Sequence, residues 1–361
     1  MTAMSFADKS RGRDNNFHLV RMLAALLVLV SHSWPLTGTP GEPLERFTDF
    51  SLGHLGVDIF FVVSGFLVTG SLVARESLVS FLRARALRIF PALAVCAFGC
   101  AFVIGPLVTE WALPRYLSNW ETWRFALQNS VTWPFGVSWW LPGVFRQNPG
   151  GPAVNGALWS LPWELTMYVM LVALGVLRAV RLGPSALQRL VLVIAVTATA
   201  AHALNEAMGL THRFELVQGF RLTALFFTAG SLQLYKDRVP LHGAWALIAA
   251  VLLAASLAMK GAALGFYPLM LGYVVLWLAL VPGGLLRGYR RMGDYSYGLY
   301  LWQFPIQQCL VLAVPGLTPA TLIGWSFVST MVLAVASWHG VESPALAYKP
   351  GRRPAKGTSV S

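Results

Sequence analysis

Two polar side chains stand out in the apolar stretch at 17–36, namely Arg21 and His32. They are eleven residues apart, so a helix places both on one face, roughly 16 Å from each other. An imidazole in apolar surroundings indicates proton transfer, because histidine titrates near neutral pH. The alternative is structural: Arg21 extends its guanidinium to the lipid headgroups, and His32 forms a hydrogen bond with a neighbouring helix.

Asp58 lies near the start of a second apolar segment, 54–74, at the depth expected for His32. A carboxylate at that depth can orient the imidazole and stabilise its cation. Alternatively, Asp58 complements the positive end of its own helix dipole. Ser64, next to Gly65, predicts close packing against another helix rather than chemistry.

A second acidic residue, Glu164, follows Trp159 and Ser160 in the segment at 158–179. Ser160, Glu164 and Tyr168 recur every four residues and therefore share one helical face. An acid beside tryptophans where a helix enters a bilayer favours a functional role for Glu164, on the same outer side as His32.

Arg85 and Arg88 are three residues apart, on one face of a predicted helix at the cytoplasmic membrane edge. Paired guanidiniums suit phosphate recognition, because each presents several donors in a fixed plane. The alternative is an ordinary patch of cytoplasmic positive charge.

A late segment at 295–313 places Ser296, Tyr297, Tyr300 and Gln303 in an apolar helix. Another buried cation, Arg221, lies in the segment at 217–235, and the sequence does not identify its partner. Such polar groups are costly in a bilayer and therefore indicate function or specific pairing.

The composition indicates that membrane-spanning helices position these residues. Of 361 residues, 56% are hydrophobic and 12% are charged, whereas soluble domains carry about 25% charged residues. Cys96, Cys100 and Cys309 lie in apolar stretches and predict neither a disulfide framework nor a metal site. We therefore expect an all-α polytopic membrane protein with about ten helices, each of about 20 residues. The apolar segments are 17–36, 54–74, 90–110, 158–179, 187–205, 217–235, 241–259, 266–282, 295–313 and 320–340.

The distribution of Lys and Arg predicts the orientation of these helices. The net charge is +12, and no basic run is interleaved with aromatic residues as nucleic-acid binding would require. Cytoplasmic loops attract positive charge, and the alternation fits ten crossings with both termini in the cytoplasm. We expect a tail at 1–16, one transmembrane domain at 17–345, a basic tail at 346–361, and a tryptophan-rich outer loop at 111–157. The inner side would carry Lys9, Arg11, Arg13, Arg75, Arg83, Arg85, Arg88, Arg178, Arg181, Arg189, Lys236, Arg238, Arg287, Arg290, Arg291, Lys349, Arg352, Arg353 and Lys356.

Four motifs together resemble the membrane-bound acyltransferase-3 family over residues 15–345. They are Arg21-x10-His32, Phe60-Phe61-x-x-Ser64-Gly65, Arg85-x-x-Arg88 with Pro91, and Trp159-Ser160-Leu161-x-x-Glu164. Each is weak alone in an apolar sequence, but four in the family's order are specific. A fifth, Ser296-Tyr297-x-x-Tyr300-Leu301, departs from the pattern, because Gln303 stands where a histidine often follows.

The resemblance implies transfer of an acyl group, commonly acetyl from acetyl-CoA, to hydroxyls of cell-envelope polysaccharides or other acceptors. Arg85 and Arg88, with Arg21, would hold the phosphates of a cytoplasmic acyl-CoA, and no tightly bound cofactor or metal is implied. His32 would act as general base or transient acyl carrier, oriented by Asp58 or Glu164. The partners would be this donor, a carbohydrate or lipid-linked acceptor and the lipid bilayer of the bacterial inner membrane.

A different class of function also fits ten helices that carry His32, Asp58 and Glu164 near one side. A proton-coupled transporter or flippase uses such intramembrane acids and imidazoles. Against it, no inverted repeat or broken helix is evident in the sequence. A non-catalytic scaffold leaves Arg21 and His32 on one face unexplained.

Overall fold

The regular structure of the chain is helical throughout the described residues. The computed structural model describes Phe6 and residues 14–75, 77–177, 184–258 and 265–349. The helices are α1 (Phe17–Leu36), α2 (Leu52–Val73), α3 (Leu78–Gly99), α4 (Leu113–Ser118), α5 (Trp120–Val131), α6 (Leu161–Leu177), α7 (Pro184–Met208), α8 (Phe214–Leu234), α9 (Gly243–Ala258), α10 (Tyr267–Leu280), α11 (Ser296–Ala313), α12 (Pro319–Ser337) and α13 (Ser343–Ala347).

Short helical turns extend or join several of these elements. A π-helical turn at Cys100–Ile104 prolongs α3 to Val108, and a second π-helical turn at Trp338–Glu342 joins α12 to α13. A 3-10 helix at Gly156–Ser160 leads directly into α6, and another at Gly284–Arg291 precedes α11. The extended helices therefore bring the segments around Ser160 and Glu342 into the helical core.

Each of the ten predicted apolar segments coincides with a helix, so the predicted all-α class is confirmed. Among the described residues, six helical spans are long and apolar enough to cross a membrane by length and composition, and α9 and α10 are shorter apolar helices. The crossing number of ten remains a prediction. The six spans are Phe17–Leu36, Leu52–Val73, Leu78–Val108, Gly156–Leu177, Ser185–Met208 and Pro319–Ala347.

The centre of the bundle is formed by α2, which packs between α1 and α8, while α11 packs between α1 and α12. A Cβ atom on Gly65 would lie 2.1 Å from the carbonyl oxygen of Phe226. Only glycine therefore allows α2 and α8 to approach this closely, which is how small residues stabilise packed membrane helices. The packing role expected around Ser64 and Gly65 thus applies to Gly65.

The tryptophan-rich segment between α3 and α6 folds as a structured loop with two helices of its own, α4 and α5. Asn129 fixes the turn that follows α5, because its amide donates to the carbonyl of Ser138 and accepts from the same residue's N–H, each at 2.9 Å. Gln308 of α11 donates to the carbonyls of Gly151 and Ala153 at 2.9 and 2.7 Å. The loop is therefore anchored on the same helix that carries Gln303.

Several predictions fall on residues outside the described ranges. The tail at 1–16 is described only at Phe6 and from Asp14, and the tail at 346–361 only as far as Lys349. Arg178 and Arg181, which contributed to the predicted orientation, also lie outside the described residues.

Candidate active site

His32 lies in the last two turns of α1, and its nearest polar partner is Gln303 of α11. Nδ1 of His32 is 3.2 Å from Oε1 and 3.0 Å from Nε2 of Gln303. The Phe304 ring meets the imidazole edge-on, with ring centroids 5.0 Å apart. When the amide oxygen accepts from Nδ1–H, the lone pair remains on Nε2, which is the form that can remove a proton. Gln303 selects that form when its amide oxygen faces Nδ1, and the opposite tautomer when its amide nitrogen does.

Another glutamine of α11, one turn after Gln303, contacts the same region of α1. Gln307 donates to the carbonyl of Leu29 at 2.9 Å and to Oγ of Ser33 at 2.8 Å. Both partners belong to α1, on either side of His32, so the relative position of the two helices is fixed by side-chain hydrogen bonds. Hydrogen bonds between buried side chains favour one arrangement of the two helices, although Oε1 of Gln307 is buried without a partner among the described residues.

A cavity of about 500 Å³ opens beside His32. It is bounded by the end of α1, the start of α2 and the segment between them, and by the 3-10 turn before α6. This combination of aromatic, hydroxyl and carboxylate groups suits a polyhydroxylated ligand. The polar and aromatic residues lining it are Ser31, His32, Trp34, Thr39, Glu42, Glu45, Ser51, His54, Trp159 and Tyr300.

The segment that forms the cavity rim is held by Glu42, which is buried. Its carboxylate accepts from the backbone N–H groups of Leu44, Glu45 and Leu52 at 2.8, 3.2 and 2.7 Å. Glu45 itself is exposed, and partial burial together with the charge of Glu42 raises the pKa of its carboxyl. At the rim, the carboxylate of Glu42 is therefore structural, whereas that of Glu45 is exposed.

Asp58 is fully buried, and its carboxylate does not contact His32. Its Oδ2 accepts from Nη1 of Arg221 at 3.2 Å and from the hydroxyl of Tyr267 at 2.7 Å. Arg221 also donates to the side-chain oxygen of Gln218. The structure thus supplies the partner of Arg221 that the sequence could not identify, and it gives Asp58 a charge-pairing position rather than the expected contact with the imidazole.

Glu164 also differs from the expectation that it orients His32 at the outer side. Its Oε1 accepts from the hydroxyls of Ser64 at 2.8 Å and Tyr168 at 2.5 Å. Ser64 lies twelve residues after the start of α2, or roughly 18 Å along the helix. Glu164 is therefore deeper in the bundle than Asp58, in a polar layer with Ser64 and Tyr168.

The basic residues of α1 and α3 meet on one acid, Asp294, just before α11. Its Oδ2 lies 2.7 Å from Nη1 of Arg21 and 2.7 Å from Nη2 of Arg88. Arg88 also pairs with Glu342 at 3.4 Å, and Oγ of Ser296 donates to Oδ1 of Asp294 at 2.6 Å. Burial would raise the pKa of Asp294, but the guanidiniums of Arg21 and Arg88 outweigh it and lower the pKa.

Asp294 was not predicted as a functional residue. Its only signal in the sequence is an acid directly before an apolar segment, and many such acids are surface residues. Its contacts with Arg21 and Arg88 require α1, α3 and the start of α11 to meet, and no local sequence pattern predicts that. The remaining predicted cation, Arg85, has a buried Nε with no hydrogen-bond partner in the described part of the chain.

The tyrosines of α11 connect it to α3 and α6. The Tyr297 hydroxyl donates to the carbonyl of Ile89 at 3.1 Å, and the Arg88 guanidinium lies 5.6 Å from the centroid of its ring. The Tyr300 hydroxyl donates a hydrogen bond to the carbonyl of Ala157 and lies 2.6 Å from Oγ of Ser160. Ser160 and Tyr300 are thus brought together, beside the cavity.

Polar groups therefore occur at three depths of the apolar bundle. The outer group contains His32 and Gln303 beside the cavity, the middle one Ser64, Glu164 and Tyr168, and the inner one Arg21, Arg88 and Asp294. Within the described ranges, no three His, Cys, Asp or Glu side chains are grouped as a metal site requires. The arrangement suits acid–base chemistry at one end and anion binding at the other.

Comparisons with known proteins agree with the resemblance. Residues 14–339 match the family model described as an acyltransferase domain. The O-acetyl transferase of Shigella phage Sf6 is 27% identical over 337 residues, which cover 91% of this chain and 95% of the relative. Nodulation protein 10 of Rhizobium leguminosarum bv. viciae is 29% identical over 369 residues, covering 94% and 95% respectively. No solved structure matches significantly.

Proposed function

The chain belongs to the acyltransferase-3 family and is an O-acyltransferase, and we propose that its donor is a cytoplasmic acyl-CoA, with acetyl as the acyl group. The acceptor is a hydroxyl of a cell-envelope polysaccharide or glycolipid. The observation that carries this proposal is the position of His32, which lines a cavity of about 500 Å³ and is held through Nδ1 by Gln303. A base fixed beside a pocket for a hydroxylated ligand is what O-acylation requires.

The proposed topology has ten crossings of the bacterial inner membrane, with both termini in the cytoplasm. Positive charge on the inner loops supports it, because Arg75, Arg83 and Lys236 then share the side of Arg88. Acyl-CoA is made in the cytoplasm, so the inner polar group faces the donor and the cavity faces the outer side. Fusion of a reporter after Ser361 tests this arrangement, and an external reporter contradicts it.

In the proposed reaction, Nε2 of His32 removes the proton from the acceptor hydroxyl as its oxygen attacks the thioester carbonyl. A C–O bond forms, the tetrahedral intermediate collapses, and the C–S bond breaks. The CoA thiolate takes up the proton from the imidazolium, so the ring returns to its initial form. Ser160 or Tyr300, whose hydroxyls lie beside the cavity, supplies a donor to the oxyanion.

A variant of this reaction makes His32 the nucleophile. Nε2 attacks the thioester, the acyl group resides transiently on the ring, and the acceptor hydroxyl then displaces it. Trapping an acylated protein with acetyl-CoA in the absence of acceptor distinguishes this variant from direct transfer.

The inner polar group supports the proposed donor site. Arg21, Arg85 and Arg88 are the cations that would attract the donor's phosphates. The middle group of Ser64, Glu164 and Tyr168 lies between these arginines and the cavity. It offers hydrogen-bond partners to the amides of a pantetheine arm that passes through the bundle. The donor thus reaches His32 along a path of polar contacts through an apolar bundle.

The experiment that tests the proposed function uses purified protein in nanodiscs with radiolabelled acetyl-CoA. Transfer or slow hydrolysis of acetyl is expected for the natural protein and should be lost in His32→Ala. His242→Ala is the matched control, because His242 is an exposed histidine of the segment before α9. Comparing O-acetylation of surface glycans by NMR, with and without the protein, then identifies the acceptor. Full activity of His32→Ala contradicts the proposal.

The transporter or flippase considered from sequence has no comparable support. The family and the relative from Shigella phage Sf6 both carry names that denote acyl transfer. Asp58, the acid expected to serve proton coupling, is paired with Arg221.

A further inference from the structure

The loop between α3 and α6 contains a second cavity, of about 430 Å³, that the proposed reaction does not use. A concave site lined by aromatic rings with a few polar groups is the usual form of a pocket for a small ligand. The aromatic and polar residues lining this cavity are Trp111, Asn119, Glu121, Arg124, Ser138, Trp139 and Trp140.

The aromatic wall of this cavity is held in place by contacts within the loop. The Arg115 guanidinium lies 4.1 Å from the centroid of the Trp111 ring. Oγ1 of Thr109 accepts from the Trp111 N–H at 3.2 Å and donates to the carbonyl of Pro142 at 2.8 Å. A Cβ atom on Gly143 would lie 2.7 Å from Cδ1 of Trp111, so the turn after Pro142 packs directly on the ring. A preformed wall lowers the ordering cost of binding a ligand.

The polar groups of the lining favour a neutral, hydroxylated ligand. Glu121 and Arg124 form an exposed salt bridge at 3.2 Å, so this pair selects neither an anion nor a cation. The hydrogen bonds among the described residues leave the amide nitrogen of Asn119 and the hydroxyl of Ser138 for a ligand. A sugar matches this set, because its C–H faces lie on aromatic rings and its hydroxyls pair with amides and charged groups.

A short segment of chain joins this cavity to the one beside His32. The N–H of Val154 donates to the carbonyl of Trp139 at 2.8 Å. Ala157, three residues after Val154, lines the His32 cavity. Because three residues extend over at most about 11 Å, the backbones of Trp139 and Ala157 are within roughly 14 Å of each other. A chain of a few linked sugars can reach across this gap, whereas a single sugar cannot occupy both cavities.

Tryptophans also favour the interface between membrane and water, and this loop exposes several of them. Trp120 is 65% exposed and Trp140 is 59% exposed, but of these two only Trp140 lines the cavity. The charged pair of Glu121 and Arg124 in the same lining opposes insertion of the cavity into lipid, where charge is costly. The cavity therefore fits a sugar better than it fits a lipid surface.

Resting on the proposed acylation of a cell-envelope glycan, we propose that the cavity of Trp111, Trp139 and Trp140 binds one sugar of the acceptor while a neighbouring sugar reaches His32. The acceptor is then a chain of linked sugars rather than a single sugar on a lipid. A sugar held in the loop cavity raises the effective concentration of the next one beside the base. The loop thereby selects acceptors by their length.

The test presents purified protein in nanodiscs to an array of bacterial surface polysaccharides and their component monosaccharides, without acetyl-CoA. The natural protein should retain at least one polysaccharide, and should bind its monosaccharides at least tenfold more weakly. Trp140→Ala should weaken retention by about tenfold, and Trp140→Tyr should recover much of it, because an aromatic face remains. An unchanged thermal unfolding midpoint shows that Trp140→Ala is folded.

Trp120→Ala is the matched control, because Trp120 is similarly exposed but lies outside the cavity lining. It should keep the natural retention. Equal losses in the two alanine variants would assign these tryptophans to the membrane interface and overturn the inference. Equal binding of polysaccharide and monosaccharides overturns it too, as does an array that retains nothing. If a polysaccharide is retained through Trp140 but is never acetylated, the proposed function fails and the binding site stands.

Discussion

Nδ1 of His32 and the side-chain amide of Gln303 are 3.0–3.2 Å apart, although the two residues are separated by 271 positions in the chain. Gln303 occupies the position where the family pattern often has a histidine. A neutral amide differs from a carboxylate in this role, because it can fix the tautomer of the ring without stabilising its cation. His32 here is therefore oriented by an uncharged partner.

Gln303→Leu should lower kcat by about 10- to 100-fold, because the imidazole loses the hydrogen bond that orients it. The KM for acetyl-CoA should change little, since the proposed site for the donor phosphates lies at the opposite end of the bundle. Steady-state kinetics with acetyl-CoA measure both constants.

The control for this variant is Gln188→Leu. Gln188 also makes a side-chain hydrogen bond across helices, to the carbonyl of Leu234 at 3.2 Å, but it lies on α7. It should keep the natural kcat. An equal loss of kcat in the two variants would show that Gln303 acts only through helix packing.

The sequence predicted the helices because hydropathy depends on local composition. Each of the ten apolar segments coincides with a helix. It also predicted which polar residues lie within helices. It could not predict their partners: Asp58 pairs with Arg221, and Glu164 with Ser64, through contacts made by helices distant in sequence. Hydropathy predicts where a residue lies along a helix, with Glu164 as the exception, but it does not predict rotation about the helix axis.

Asp294 was missed for a related reason, since it is an ordinary acid in local sequence and its importance follows from the arginines that α1 and α3 place against it. Gln303 was noted as a departure from the family motif, but its contact with His32 was not predicted. Glu164 was expected on the outer side, because a helix start was assumed at the membrane surface. The 3-10 turn before α6 shifts this residue deeper.

The buried pair of Asp58 and Arg221 should be essential for stability. Asp58→Ala leaves a desolvated guanidinium, and we expect a loss of about 3–5 kcal/mol in the free energy of unfolding. Replacing both residues, as in Asp58→Leu with Arg221→Met, should recover much of that loss. Thermal unfolding of detergent-purified protein measures the coupling between them.

Activity separates this structural role from the catalytic one first expected for Asp58. The doubly substituted protein, assayed below its unfolding temperature, should retain most of its acyl transfer. A stable double variant without activity would instead support a direct role for the carboxylate.

Asp294→Asn should raise the KM for acetyl-CoA, because Arg21 and Arg88 would repel each other and leave their positions. The pKa of Asp294 is lowered in the folded protein, so its charge stabilises the fold above the ordinary aspartate range, about pH 4. That contribution is lost as pH falls through the lowered folded value. The melting temperature of the natural protein should therefore fall in acid more steeply than that of Asp294→Asn, as scanning fluorimetry can show.

The matched comparison for Asp294 is Asp237→Asn, which alters an exposed acid of the segment after α8. It should keep both the donor KM and the acid dependence of the natural protein. Equal acid profiles for the natural protein and Asp294→Asn would contradict the assigned role of this carboxylate.

Alkaline pH should weaken donor binding through Lys349. Its pKa is lowered to about 8, by burial and then by Arg85, Arg88, Arg75 and Arg21. As pH rises through this value, the free protein loses a positive charge on the side where the donor is proposed to bind, and the KM for acetyl-CoA should rise. Lys349→Arg should keep a low KM across the same range, because a guanidinium stays protonated. Lys349→Ala should show a high KM at every pH. A rise that persists unchanged in Lys349→Arg would assign the titration to a group other than Lys349.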